Sequence, residues 1–270
     1  MGLRMRLDYL EYLAHLGATD LHPQAGQATG QLMAALDLRP GQHLLEIGCG
    51  TGETMLRVSL AAPVAVAGVD VLPAMLAVAR KRLSLAPGRA SAGLALVGAG
   101  APLPFAAGTF DRVYAESVLG FQDAAVTRAL LREAHRLLKA GGRCVANEAI
   151  WRPAASGEIV AAINRACLAD FGLRQASEAP WDLQDWLDLV QACGFRVVSA
   201  DLLDAHAPRV QRRRTSTERL SSLLTGFYRA RSFLHPALLR QRRRYRRLLE
   251  RHRQDGQYIE ARLFVLAKTG

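Results

Sequence analysis

The sequence lacks an uninterrupted apolar stretch of the roughly 20 residues that a transmembrane helix needs, which argues against a membrane-spanning protein. The first residues become acidic and aromatic at Asp8 and Tyr9, which is not typical of a signal peptide. There are only four cysteines, and their spacing matches neither a zinc site nor a disulfide framework. These absences predict a protein of a reducing compartment, the cytoplasm, that holds no metal ion.

Lysine is also scarce, since only three of the 35 basic residues are lysines. The net charge of +11 is unevenly distributed along the 270 residues. Residues 206–270 contain 17 basic and 4 acidic residues, a net charge of +13, whereas residues 1–205 have a net charge of −2. The whole basic excess therefore belongs to the C-terminal quarter, and it is almost entirely arginine.

Half of the residues are hydrophobic, which is enough for a full core and predicts one domain over 1–270. Short β-rich runs alternate with helical patterns, which is typical of βαβ units and a parallel sheet. The predicted class is α/β. The predicted strands are His43–Ile47, Val64–Val69, Leu94–Val97, Phe110–Ala115, Arg143–Ala149, Phe195–Ala200 and Tyr258–Ala267.

Three segments interrupt this alternation, and we expect them to form a helical cap on the strand-and-helix core of residues 43–150. Residues 1–38 precede the first strand and predict two helices that cover the site. Residues 151–180 follow the fifth strand as a substrate-side insertion. Residues 205–256 form a basic helical insertion, in which Pro236–Gln254 predicts one helix that starts near a proline and ends before Gly256.

A glycine-rich turn follows the first predicted strand, in the sequence Leu44-Leu-Glu-Ile-Gly-Cys-Gly-Thr-Gly52. Glycines let the chain turn tightly and let its backbone approach a ligand. Asp70 ends the next predicted strand about twenty residues later, which is where a carboxylate can accept hydrogen bonds from ribose hydroxyls. The pattern predicts a nucleoside-binding site at the ends of two neighbouring strands.

This segment resembles motif I of the class I S-adenosylmethionine (SAM)-dependent methyltransferases, of the ubiquinone-biosynthesis-like type. Further stretches similar to this family are Gly68–Met75, Leu103–Phe105, Gly108–Asp111 and Leu137–Arg143. The resemblance covers about residues 43–150 and resumes weakly from Trp181 to Val198. It implies a Rossmann-like, seven-stranded, mostly parallel sheet with helices on both faces and a reversed last hairpin, with SAM across the strand ends.

The resemblance also assigns cofactor contacts residue by residue. Gly48 and Gly50 would admit the methionine and ribose portions, and Asp70 would hold both ribose hydroxyls. Val71 and Leu72 would pack on the adenine, and the backbone near Glu116 and Ser117 would face the methionine ammonium. Where relatives often place a carboxylate near the adenine, this chain has Gly98–Ala101 instead, so backbone contacts are expected there. The remaining predicted cofactor residues are Glu46, Cys49, Ala99, Gly100 and Ala101.

The candidate catalytic residues lie in the N-terminal cover. His22 could act as a base or bind a substrate oxygen, because the unperturbed pKa of histidine lies near neutral pH; the alternative is that it caps the helix after Pro23. Tyr9 and Tyr12 are three residues apart and share a helical face, where they either line a pocket or pack in the core.

Methyl transfer from a sulfonium requires alignment and exclusion of water, and it needs no metal. We therefore expect an enzyme that methylates an O-, N- or C-nucleophile of a small molecule, with anionic and lipid- or quinone-like molecules as the candidate classes. The arginine-rich helix of residues 236–254 is open to four interpretations: a solvated surface, a site for an anionic acceptor, an RNA-binding patch, or a membrane-surface helix. An RNA methyltransferase and a non-catalytic partner protein are the alternatives. The oligomeric state stays open.

Overall fold

The computed structural model describes residues 8–19, 25–86, 92–203 and 215–269. Its centre is a seven-stranded sheet in the order β3-β2-β1-β4-β5-β7-β6, in which β7 runs antiparallel to both of its neighbours. The predicted sheet and its reversed last hairpin are thereby confirmed. The strands are β1 His43–Ile47, β2 Ala65–Asp70, β3 Ala92–Leu96, β4 Phe110–Glu116, β5 Leu138–Trp151, β6 Phe195–Leu202 and β7 Ile259–Lys268.

Helices connect the parallel strands and cover both faces of the sheet. Asp123 is the N-cap residue of α5, where its carboxylate accepts a hydrogen bond from the backbone N–H of Val126 at 2.9 Å. The helices are α1 Asp8–His15, α2 Ala25–Ala35, α3 Glu53–Ala61, α4 Pro73–Leu83, α5 Ala124–Leu137, α6 Gly157–Phe171, α7 Leu183–Ala192, α8 Ser216–Ser232 and α9 Pro236–Arg251.

Two predicted boundaries are wrong by three residues or more. The fifth strand begins at Leu138 and not at Arg143, because residues between Leu138 and Arg143 form an irregularity in the pairing of β4 with β5. The last helix ends at Arg251 and not at Gln254, and a 3-10 helix, His252–Tyr258, follows it.

Alternate residues of the central strands point into two apolar clusters, one on each face of the sheet. Leu44, Tyr114 and Val145 pack with residues of α2 and α3, whereas Leu45 and Val113 pack with residues of α5 and α7. Both faces are thus covered, as a mostly parallel sheet requires. A ligand can therefore reach polar groups of the sheet only where the strands end.

The helical cap has a core of its own, formed by α1, α6, α9 and the end of β5. Tyr12, Trp151, Phe171 and Tyr245 are buried in it together. The Tyr245 ring lies 5.0 Å from that of Tyr12. Segments far apart in the sequence therefore form one aromatic cluster beside the carboxyl end of β5.

Arg82 on α4 is fully buried and connects the cap to the glycine-rich turn. Its guanidinium donates hydrogen bonds to the carbonyl of Gly17 at 3.1 Å and to that of Thr51 at 2.6 Å. It also donates to Ser221 at 3.0 Å and to Thr225 at 2.9 Å, both on α8. We call this group the Arg82 network.

Candidate active site

A cavity of about 440 Å³ lies at the carboxyl ends of β1, β2, β4 and β5. Ligands of open α/β sheets bind at this edge, where the loops after the strands meet. Ile47, Val69, Glu116 and Ala149 contribute the strand ends to its wall. The remaining wall comes from α1, from the loops after β2, β3 and β4, and from the cap.

The glycine-rich turn brings the backbone directly to the cavity. The N–H groups of Gly48 and Cys49 donate to the carbonyl of Val69 at 2.8 and 3.0 Å, which anchors the turn to β2. Gly48 has φ +70°, and a Cβ at this position would overlap the side chain of Val118. Only glycine fits both the backbone conformation and the close contact.

Asp70 lines the cavity next to this turn. Its carboxylate accepts hydrogen bonds from the backbone N–H of Gly50 at 2.8 Å and from that of Leu72 at 2.9 Å. Burial raises the pKa of the Asp70 carboxyl, and these N–H groups partly oppose the rise. Each carboxylate oxygen keeps a lone pair for a further donor, as two ribose hydroxyls would require.

The end of β4 supplies two polar side chains to the wall. Glu116 accepts a hydrogen bond from the hydroxyl of Thr54 at 2.7 Å. Ser117 has φ +52°, a conformation that L-residues rarely adopt, and its N–H donates to the carbonyl of Asn147 at 2.7 Å. Its hydroxyl oxygen is buried and has no hydrogen-bond partner within the described part of the chain. Strain together with an unsatisfied buried polar group indicates a place for a ligand.

Glu148, near the end of β5, also lines the cavity. Its carboxylate accepts hydrogen bonds from the backbone N–H groups of Val118, Leu119 and Gly120 at 3.1, 3.0 and 2.9 Å. Burial raises the pKa of Glu148 to about 7, against the opposing effect of these three donors. The residue therefore shapes the loop after β4 and changes its charge near neutral pH.

The cap side of the cavity is mainly apolar, with Tyr9, Phe171 and Leu249 in the wall. Tyr9 contacts the Phe171 ring at 5.1 Å between centroids, and burial raises the pKa of its hydroxyl. Tyr9 is thus a hydrogen-bond donor rather than a base at neutral pH. Two polar residues from the insertion after β5, Arg174 and Gln175, lie in the same wall.

The structure brings most of the predicted site residues to one cavity. The residues of the prediction that line it are Tyr9, Gly48, Gly50, Asp70, Val71, Leu72, Ala99, Gly100, Glu116 and Ser117. Four others lie outside its wall. Glu46 is buried in the sheet against the Tyr114 hydroxyl at 3.0 Å, Cys49 packs toward Gly68, and Ala101 is absent from the lining. Tyr12 packs in the aromatic core of the cap. His22 lies outside the described residues.

Several lining residues were missed because they lie in segments without a motif. Glu148 has a signal that could have found it, since the carboxyl end of a predicted parallel strand points to this edge of the sheet. Arg174, Gln175 and Leu249 have none, because only the packing of the cap brings them to the cavity.

Behind the cap wall, the Cys167 thiol, the His252 ring and the Asp255 carboxylate have ligand atoms within 4.8 Å of one another. The His252 ring already lies between two carboxylates, with Nδ1 2.6 Å from Asp255 and Nε2 3.0 Å from Asp170. Burial raises the pKa of the Cys167 thiol to about 12, which disfavours the thiolate that binds metals. We interpret this group as the link between α6 and the 3-10 helix.

Comparison with known proteins identifies the family. Residues 44–142 match a family described as a methyltransferase domain. An uncharacterized methyltransferase of Bacillus subtilis, YodH, is 31% identical over 200 residues, which cover 71% of this chain and 76% of that protein. The chain belongs to the class I SAM-dependent methyltransferases. SAM is the cofactor of this family.

Other methyltransferase relatives match a shorter region. A demethylmenaquinone methyltransferase of Symbiobacterium thermophilum is 37% identical over 123 residues, 44% of this chain and 47% of that protein. A ubiquinone/menaquinone biosynthesis C-methyltransferase of Cereibacter sphaeroides is 40% identical over 118 residues, 43% of this chain and 46% of that protein. The matched region thus spans about half the length of these two relatives.

Solved methyltransferase-fold structures superpose over nearly the whole chain. The [4+2]-cyclase SpnF has a TM-score of 0.68 at 19% identity, covering 97% of this chain and 94% of that one. The phosphoethanolamine N-methyltransferase 2 of Haemonchus contortus, in complex with SAM, has a TM-score of 0.66 at 18% identity and covers 100% of this chain and 60% of that one. At these identities the similarity concerns the fold alone. Among the described residues, no helix is both long and apolar enough to cross a bilayer.

Proposed function

We propose that this methyltransferase transfers the methyl group of SAM to a largely apolar small molecule that presents an acidic oxygen. The observation that carries the proposal is that one cavity has Asp70 and Ser117 in its wall at the strand ends and Phe171, Leu249 and Arg174 in its cap wall. A lipid- or quinol-like acceptor suits such a wall, because apolar side chains bury its body and a few polar groups orient it. The segments 1–38, 151–180 and 205–256 are proposed to form the acceptor cover.

The residues at the strand ends fit SAM. Asp70 would accept hydrogen bonds from the ribose hydroxyls. Gly48, which has no side chain, would let the methionine and ribose portions of SAM approach the backbone. The Ser117 hydroxyl would gain the hydrogen-bond partner that it lacks among the described residues. When bound, SAM supplies an electrophilic methyl carbon on a positively charged sulfur. No metal ligand is needed for this chemistry, so the protein's task is alignment and exclusion of water.

Residues of the cap wall would bind and orient the acceptor. Tyr9 and Phe171 would exclude water, and the Arg174 guanidinium would pair with an oxygen that develops or carries negative charge. Arg174 is largely buried and lies 3.4 Å from Glu178, whose side chain is 53% exposed, so a stronger acceptor anion can replace this partner. Glu148 would take up the acceptor proton above about pH 7, because its three hydrogen bonds leave one carboxylate lone pair for it.

Two names among the relatives support this acceptor class: one refers to demethylmenaquinone, and a structural neighbour with a TM-score of 0.60 is a geranyl diphosphate methyltransferase. We further propose a cytoplasmic location, because all four cysteines are buried and unbridged. An RNA acceptor and a non-catalytic role are the alternatives.

The test is methyl transfer from isotope-labelled SAM, followed by mass spectrometry of the products. The substrates are hydroquinones with and without prenyl tails, an isoprenoid diphosphate, and mixed RNA. We expect methylation of an apolar, oxygen-bearing acceptor and none of RNA. Methylation of RNA alone, or absence of SAM binding in calorimetry, would overturn the proposal.

A further inference from the structure

Helix α8 exposes large apolar side chains that a surface helix ordinarily buries against the core. Its buried face consists of Ser221, Thr225 and Ser232, which are small and polar. Its outward face carries Leu220, Leu223 and Phe227, three and four residues apart and therefore on one side of the helix. A surface helix usually buries its leucines, so this arrangement indicates a face that is built to contact something outside the chain.

The apolar surface continues into the turn between α8 and α9. Leu223, Phe227 and Leu234 are 68%, 62% and 80% exposed, and Phe233 is exposed as well. Of the nine large hydrophobic side chains that are exposed within the described residues, six lie between 220 and 249. We call Leu220, Leu223, Phe227, Phe233 and Leu234 the apolar ridge.

Arginines surround the apolar ridge. Residues 215–258 contain eleven arginines, all of them exposed, and three acidic residues, which gives this part of the chain a net charge of +8. The Arg242 guanidinium lies over the Phe233 ring, 4.6 Å from its centroid, so charge and apolar surface are in direct contact. On α9, Arg240, Arg243 and Arg247 share one face at spacings of three and four.

We propose that the apolar ridge and the arginines of α8 and α9 dock the protein on a membrane surface that contains anionic lipid. A bilayer that contains anionic lipid offers negative charge for the arginines and an apolar interior for the apolar ridge. The two lie next to each other, because the anionic headgroups are directly outside the apolar interior. Bulky side chains insert at the headgroup boundary while the guanidinium groups pair with phosphates. RNA would use the arginines but gives no reason for exposed leucines, and an acidic protein would need a matching apolar groove as well.

The docked helices lie beside the methyl-transfer cavity. Leu249 belongs to α9 and is half exposed, and it is also part of the cavity wall. Leu249 lies about half a turn around the helix from Arg240, so the docked face and the cavity wall are on different sides of α9. Docking itself does not depend on the proposed acceptor, because the surface and the cavity are formed by different side chains.

Vesicle flotation of the full chain tests the proposal, with pure phosphatidylcholine against an equimolar mixture with phosphatidylglycerol. We expect binding to the anionic vesicles that weakens with salt, since added ions screen exposed charges. Replacing Arg240, Arg243 and Arg247 by Gln should weaken binding about a hundredfold. The double variant Leu223→Ser/Phe227→Ser should weaken it more than about tenfold.

Matched controls use exposed residues elsewhere. The triple variant Arg128→Gln/Arg132→Gln/Arg196→Gln removes equal charge outside α8 and α9, and Leu96→Ser removes a leucine that is 56% exposed on β3. Both should bind vesicles like the unaltered protein, and all variants should keep SAM affinity. Three results would overturn the proposal: no vesicle binding, equal loss in the controls, or binding of mixed RNA that is insensitive to Leu223→Ser/Phe227→Ser. A change of oligomeric state in that variant without vesicle binding would assign the apolar ridge to a second copy of the chain.

Discussion

The carboxylate of Asp70 accepts a hydrogen bond from the backbone N–H of Gly50 at 2.8 Å, which joins the end of β2 to the glycine-rich turn. The same carboxylate lines the cavity, so it shapes the turn and is proposed to accept hydrogen bonds from the ribose hydroxyls of SAM. Replacing Asp70 by Ala should weaken SAM binding more than about tenfold, because two ribose hydroxyls lose their acceptor.

Titration calorimetry measures this loss. Asp201→Asn is the control, since Asp201 is exposed on the edge strand β6. Unchanged SAM affinity in Asp70→Ala would refute the ribose-binding role.

The second prediction concerns Gly48. Gly48→Ala should abolish detectable SAM binding and lower the free energy of unfolding by about 1–3 kcal/mol, because of its φ of +70° and the contact with Val118. Combining it with Val118→Ala should restore part of the stability but not all of it, since the backbone strain remains. Chemical denaturation of the two single variants and the double variant measures the coupling; strict additivity would contradict the predicted clash.

The third prediction concerns the pH dependence caused by Glu148. Its pKa is about 7 in the folded chain and near 4.5 in the unfolded chain, so the folded state holds a proton that the unfolded state has released between these values. Its contribution to stability is complete below about pH 4.5 and is lost as the pH rises to about 7. Glu148→Gln should flatten this part of the stability curve, as measured by denaturation at a series of pH values.

The same variant tests the proposed proton uptake. If Glu148 accepts the acceptor proton, kcat of the unaltered enzyme should rise through about pH 7, and Glu148→Gln should lose both the rise and most of the turnover. SAM affinity is the control for an intact loop after β4. If the pH dependence of kcat were unchanged in Glu148→Gln, the role of Glu148 would be limited to accepting hydrogen bonds from the N–H groups of Val118, Leu119 and Gly120.

Arg174 gives the fourth prediction. Arg174→Gln should raise the acceptor KM by about tenfold or more and leave SAM affinity unchanged, because it removes a charged hydrogen bond to the acceptor only. Arg174→Lys should recover part of the loss, since it restores the charge without the planar fork. Arg196→Gln, an exposed arginine on β6, serves as the control. An equal KM in all three variants would place the acceptor elsewhere.

The fifth prediction concerns the Arg82 network. Arg82→Met removes the guanidinium from the buried carbonyls of Gly17 and Thr51 and breaks its ion pair with Glu53, so it should lower the free energy of unfolding by about 3–5 kcal/mol. The neighbouring Arg80→Gln, at an exposed position, should change it by less than about 0.5 kcal/mol. Urea denaturation compares the two, and similar small effects would mean that the network adds little to stability.

The sheet and the cofactor side of the cavity could be predicted from the sequence because both depend on local patterns. Gly48, Gly50 and Asp70 belong to a strand, the glycine turn after it and the end of the next strand. This local arrangement brings them together without depending on the rest of the chain. The irregular start of β5 and the early end of α9 depend on tertiary pairing, which propensity does not record.

The acceptor side could not be predicted for a related reason. Arg174 and Leu249 meet only because α1, α6 and α9 pack their aromatic residues together, and no short motif describes such long-range packing. On α9 the apolar residues Tyr245 and Leu248 are buried, as the amphipathic pattern requires, whereas α8 exposes Leu220 and Leu223. The proposed contact with a membrane surface would explain why α8 departs from the amphipathic pattern.

The single guanidinium of Arg82 limits how the molecule can admit an acceptor. It donates hydrogen bonds to the carbonyl after α1, to the turn after β1 and to two hydroxyls of α8, so it ties these three parts together. Separating them to admit an acceptor would require hydrogen bonds of a buried guanidinium to break. We therefore expect an acceptor to enter through the opposite wall of the cavity, between Phe171 at the end of α6 and Leu249 of α9.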